Sequence, residues 1–143
     1  MFLFSTIQPQ NFQETLPMPK IIISDTSCFT IEYGEPLPEW VEIVSVTDKS
    51  KQLLLELQID KGESSAIALA METPDSTLIL DDNKARRIAN QLALTFTGTI
   101  GVIVKAKLKG IIPTIKPLIA KIKQTDFRLT DELEHQALKQ ANE

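Results

Sequence analysis

Four carboxylates in this sequence stand where a strand should end or a helix begin. Asp25 directly follows the run KIIIS (20–24), Glu63 opens ESSAIALAME beside Gly62, and Asp81 and Asp82 directly follow TLIL (77–80). In an α/β sheet covered by helices, sites form at the carboxyl ends of the strands. If KIIIS and TLIL are neighbouring strands, their acids meet at one sheet edge, and the turn before Glu63 returns to the same edge. Carboxylates crowded in this way repel unless something neutralises them. The usual solution is a hard divalent cation such as Mg²⁺ or Mn²⁺, held by oxygen ligands. Such an ion clamps phosphate oxygens and activates water for in-line phosphodiester cleavage. The cations that follow, Lys84, Arg86 and Arg87, are then placed to meet a substrate's phosphates. Each acid also has an ordinary structural use: Asp25 as a turn former, Glu63 beside a helix dipole, Asp81 or Asp82 as a helix cap.

Composition narrows the alternatives. The chain has 143 residues, 43% hydrophobic and 24% charged, which suits one globular domain. One cysteine, Cys28, and one histidine, His135, exclude an internal disulfide and a Cys- or His-based metal site. Ser64 and Ser65 have no histidine placed to activate them, and no glycine-rich phosphate loop is present. No apolar run reaches the roughly 18 residues of a membrane span. The opening MFLFSTIQPQNF lacks a basic leader region, so the chain is read as cytoplasmic. The net charge of −4 hides an asymmetry: Asn83 to Thr125 holds nine Lys or Arg and no acid. Such a segment presents a positive face to a polyanion, or simply forms the solvated faces of helices.

The acids depend on a regular alternation for their placement. Residues 1–19, with Pro9, Pro17 and Pro19, read as an irregular lead-in, and 20–143 as a single domain. Strands are expected at Lys20–Ser24, Trp40–Val46, Thr77–Leu80 and Leu94–Phe96. Helices are expected at Lys49–Ile59, Glu63–Glu72, Asn83–Leu92, Thr99–Lys109 with Gly110 as its stop, Thr114–Gln124, and Asp131–Gln140 capped by Thr130. Strands alternating with helices imply an α/β sandwich with a mostly parallel sheet.

The stretches IIISDTS (21–27), GESSAIALA (62–70), LILDDNKARRIA (78–89) and TGTIGVIVKAKLKGII (97–112), in this order, resemble the PIN-domain family. The likeness is strongest to its VapC-like branch of predicted nucleic-acid-binding proteins, and FRLTDELEHQALKQA is similar to that branch's last helix. The resemblance implies a Rossmann-like three-layer α/β/α sandwich. It also implies an Mg²⁺- or Mn²⁺-dependent ribonuclease acting on RNA, often the toxin of a toxin–antitoxin pair. It assigns Asp25 as the first acid, Glu63 as the acid opening the buried helix, and Asp81 or Asp82 as the last. Ser27 falls where a hydroxyl supports the first acid.

One departure is large. Family members place two helices, a strand, a further helix and another glutamate between the first acid and the L-P-E-W region. Here only Cys28 to Pro36 intervene, so part of the N-terminal half is missing. The strand near Val41 is then expected to pair directly with that at Ile21. The uncovered face favours a homodimer or higher oligomer, unless the apolar lead-in covers it. With an acid missing, activity should be weakened. The alternative is a PIN-like scaffold without catalysis that binds nucleic acid or a protein.

Overall fold

The computed structural model describes Leu3–Ser5, Lys20–Ile23 and residues 41–143. The chain forms two compact units, Met1–Thr97 and Gly98–Glu143. The first contains strands β1 (Leu3–Ser5), β2 (Lys20–Ile23) and β3 (Val41–Ile43), helices α1 (Lys49–Glu56) and α2 (Lys61–Glu72), strand β4 (Ser76–Ile79), helix α3 (Asn83–Gln91) and strand β5 (Phe96–Thr97). The second contains helices α4 (Thr99–Leu108), α5 (Lys116–Ile122) and α6 (Asp131–Gln140).

The sheet order is β3-β2-β1-β4-β5. Pairs β2–β3 and β4–β5 are parallel, and β1 runs antiparallel to both its neighbours. Four of the five strands therefore run one way, giving the α/β fold expected from the alternation. β2 pairs with β3 directly, Ile21 opposite Val41, as the short connection requires.

Two expectations change. Residues 3–5 of the supposedly irregular lead-in form a strand; the prolines lie at 9, 17 and 19 and leave this apolar stretch able to pair. As a result β2 and β4 are not neighbours. Ile22 and Leu78 lie on either side of Leu3, so their strands are about 10 Å apart, two inter-strand spacings.

The core of the first unit gathers around α2. Ser64 through Ala70 are all buried, so this helix is enclosed on every side. Leu78 and Leu80 from the β4 region and Ala85, Ile88 and Ala89 from α3 pack in the same cluster. Alanines let these backbones approach closely, which is why an Ala-rich helix occupies the centre. At its far end Glu72 accepts hydrogen bonds from the amides of Asp48 (2.8 Å) and Thr47 (2.9 Å), fixing the start of α1. Those bonds hold the Glu72 carboxyl below its usual range. The leucines that mark α1 in the sequence, Leu53, Leu54 and Leu57, stand outward, and Gln52 is the buried residue. In the second unit Ile100, Val104, Ile115, Ile119, Ala137 and Ala141 form a separate core. Thr130 caps α6 as expected, whereas α4 starts from Gly98 and Thr99 is its first residue.

Three helices end in the same Schellman geometry with different residues in the left-handed position. After α4 it is Gly110 (φ 71°), after α6 Asn142 (φ 59°), and after α3 Ala93 (φ 54°). At α3 the Ala93 amide donates to Asn90 (3.1 Å) and the Leu94 amide to Ala89 (2.9 Å). Alanine bears a steric penalty there that glycine avoids. Ala93→Gly should therefore stabilise the first unit by about 1 kcal/mol. Gly110→Ala should destabilise the second by a similar amount. An added Cβ at Gly110 meets nothing within 4 Å, so that cost is conformational alone. Denaturant unfolding of both variants measures the two signs.

Candidate metal and nucleic-acid site

Asp60 caps α2, its Oδ1 accepting from the Glu63 amide at 2.8 Å. Glu63 is thus the third residue of the helix, in its first turn and half-buried. A first-turn carboxylate is normally favoured by the helix dipole. Glu63 behaves otherwise: its carboxyl is pushed up to about 7, chiefly by burial and then by the charges of Asp60 and Asp82. Among the described residues none supplies a cation to balance it. Glu63 and Asp82 come from different elements, α2 and the β4–α3 turn, and the fold brings them within electrostatic reach.

The adjacent aspartates play different parts. Asp82 caps α3, its Oδ1 accepting from Lys84 (2.7 Å) and Ala85 (2.8 Å). Asp81 lies 3.7 Å from Arg86 Nη2, and Arg86 Nε donates to the Leu80 carbonyl at 2.7 Å. The charge of Asp82 acts on Glu63 and raises its carboxyl. Arg86 is accordingly engaged in holding the strand end and Asp81, while Lys84 and Arg87 are exposed on α3.

Asp25 and Ser27 lie outside the described residues. Among the described residues no three acids, histidines or cysteines converge closely enough to hold a metal ion. Glu63 and Asp82 are the two sequence-predicted acids that the described residues bring within electrostatic reach of one another. Their chemistry suits a hard divalent ion: both offer oxygen donors, Glu63 half-buried and Asp82 exposed, and they carry a charge conflict that a cation would relieve. Ser64 and Ser65 are accounted for within the helix. Ser64 Oγ donates to the Asp60 carbonyl (2.6 Å) and Ser65 Oγ to that of Gly62 (2.9 Å). His135 is exposed.

The acid-free basic segment is only partly open. Lys107 and Lys116 each lie 4.0 Å from the Glu143 carboxylate, which also takes hydrogen bonds from Thr114 and the Ile115 amide. Lys123 pairs with Glu134, which raises its pKa. Lys105, Lys109 and Lys121 are exposed. Asp60 is the residue sequence reading missed. Its signal was present as an Asp three residues before a Glu at the head of an apolar helix. No described helix is long and apolar enough to cross a membrane.

A family model described as a PIN domain matches residues 32–143. The match contains Glu63, Asp81 and Asp82 and starts after Asp25 and Ser27. No curated protein and no solved structure matches the chain.

Proposed function

Because this chain belongs to the PIN-domain family, a nuclease-like fold whose members generally use divalent metal ions, we propose that it is a metal-dependent endoribonuclease with Asp25, Glu63 and Asp82 as its acids. The observation that carries the reading is Glu63. A carboxyl pushed up to about 7 by burial and by Asp60 and Asp82 marks a place where positive charge is wanted. Mg²⁺ or Mn²⁺ would be held by Glu63 and Asp82 together with Asp25, with Ser27 supporting Asp25. When bound, the ion supplies Lewis acidity at the scissile phosphate and makes water a stronger nucleophile at neutral pH. The protein's own groups orient the reaction. The Asp60 cap fixes the backbone of Glu63, and the α3 cap fixes Asp82. Lys84 and Arg87 bind RNA phosphates, and Arg86 keeps Asp81 beside the strand end.

The VapC-like resemblance extends the proposal to a toxin of a toxin–antitoxin pair, acting in the cytoplasm with an antitoxin protein as its partner and assembling as a homodimer or higher oligomer. A second reading, a non-catalytic PIN-like module that binds nucleic acid or a protein, is favoured by one feature of the sheet. β1 separates β2, the strand before Asp25, from β4, the strand before Asp81 and Asp82.

The test is cleavage of labelled single-stranded RNA with Mn²⁺ by the wild type and by Asp25→Asn. The nuclease reading expects cutting by the wild type only. Equal cutting by both rejects this metal site, and binding without cutting by either establishes the module. Wherever the chain binds RNA, as nuclease or as nucleic-acid-binding module, affinity should fall steeply with salt, because phosphate contacts release counterions. Lys84→Ala and Arg87→Ala should each flatten the log–log salt slope by about 0.7. A slope unchanged in both variants removes these residues from the interface.

A further inference from the structure

Helix α1 has its faces reversed relative to an ordinary amphipathic helix. Gln52 is 7% exposed, while Leu53, Leu54 and Leu57 are 62%, 65% and 81% exposed. At 3.6 residues per turn, Ser50, Leu53, Leu54 and Leu57 form one stripe about 100° wide. Gln52 and Leu55 project from the opposite side, where Leu55 packs on the core of the first unit. Burying a glutamine while exposing three leucines costs stability unless the leucines meet something.

The charges along this helix indicate what they meet. The buried Gln52 bridges Lys49 and Glu56, accepting from Lys49 Nζ at 3.5 Å and donating to Glu56 Oε1 at 2.8 Å. Lys49 and Glu56 therefore flank the stripe on the same side, the cation near its start and the anion near its end. We propose that the α1 stripe is a self-association surface. Two copies of the chain pair their α1 helices antiparallel across a two-fold axis. In that arrangement the leucines interleave, Lys49 of each copy meets Glu56 of the partner subunit, and the helix dipoles oppose. A parallel two-fold pairing would put the Lys49–Glu56 flanks of the two copies on opposite edges of the seam, where they could not pair. One eight-residue helix offers less than the roughly 800 Å² per partner of a standard interface, so the association is weak and concentration-dependent. It deepens the oligomer proposed above but does not depend on the nuclease reading, since Glu63 and its acids lie on other elements.

Sedimentation of the full chain across micromolar to high-micromolar concentration tests this, with circular dichroism to confirm that each variant is folded. The wild type should shift from monomer to dimer, and Leu54→Glu should stay monomeric. Lys49→Glu, an exposed change that spares the core, should weaken dimerisation about tenfold by placing like charges together twice. Lys49→Glu with Glu56→Lys should restore it, because the two-fold exchanges both positions. A wild type that stays monomeric leaves the stripe to another polypeptide and overturns the proposal. So does a Leu54→Glu variant that dimerises as the wild type does, or a double charge variant no better than Lys49→Glu. RNA cutting read on the same samples separates failure here from failure of the nuclease assignment.

Discussion

Glu63→Gln should abolish metal-dependent RNA cutting, by at least about 100-fold, and yet make the metal-free protein more stable at alkaline pH. The stability sign follows from linkage. Glu63 titrates at about 7 in the folded chain against 4.5 for its ordinary value. Between those pH values the folded state keeps a proton that the unfolded state has lost. Stability therefore falls as pH rises through this window and levels off above it. Glutamine keeps the shape and removes the charge. At pH 8 without metal the variant should be more stable by about 1–2 kcal/mol, a figure reduced for the solvent that still screens a half-buried group. Below about pH 4 the difference should vanish, since both states of the wild type are then protonated. Saturating Mn²⁺ should reverse the order, stabilising the wild type by mass action and leaving the variant unmoved. Thermal unfolding at three pH values, with and without Mn²⁺, reads all of this. A variant less stable than the wild type at pH 8 would show that Glu63 is a structural helix-end residue.

The second large effect lies beneath the first. Ile67 is fully buried at the centre of α2, one turn beyond Glu63 on the same side of the helix. Ile67→Ala should cost about 2–5 kcal/mol through lost burial and an unfilled cavity. That is a large share of the roughly 5–15 kcal/mol a domain has to lose. The loss should appear in the unfolding of the first unit, with the core of the second untouched. A cost below about 1 kcal/mol would mean that the alanine-rich cluster collapses around the gap. Whatever remains folded should bind Mn²⁺ less tightly, because the cavity loosens the turn that presents Glu63.

How much of this could be read in advance follows from which forces act locally. Thr130 and the acids after it announced α6 correctly, since a helix cap is a property of four neighbouring residues. Gly110 announced the end of α4 for the same reason. The direct pairing of β2 with β3 was legible from chain length, as nine residues cannot hold the usual intervening elements. The strand Leu3–Ser5 was hidden because its pairing depends on residues some twenty and seventy positions away. Leu53, Leu54 and Leu57 gave the right helix, but hydrophobicity alone did not give the facing: Leu55 packs on the core and Gln52 is buried with its amide bonded to Lys49 and Glu56.

At the candidate site, Glu63 and the LDD turn were visible as acids at element ends. The different partners of Asp81 and Asp82 were not, because they depend on where Arg86 folds back. Arg86 reaches the Leu80 carbonyl and Asp81, leaving Asp82 to cap α3 and act on Glu63. Asp60 is hidden because the helix begins at Lys61, two residues before the run that opens at Glu63.

Anomalous diffraction from crystals soaked in Mn²⁺ tests the ion site most directly. One ion is expected, with carboxylate oxygens of Glu63, Asp82 and Asp25 in its coordination sphere. An ordered structure with no ion there, and with Asp25 directed away from Glu63 and Asp82, would contradict it.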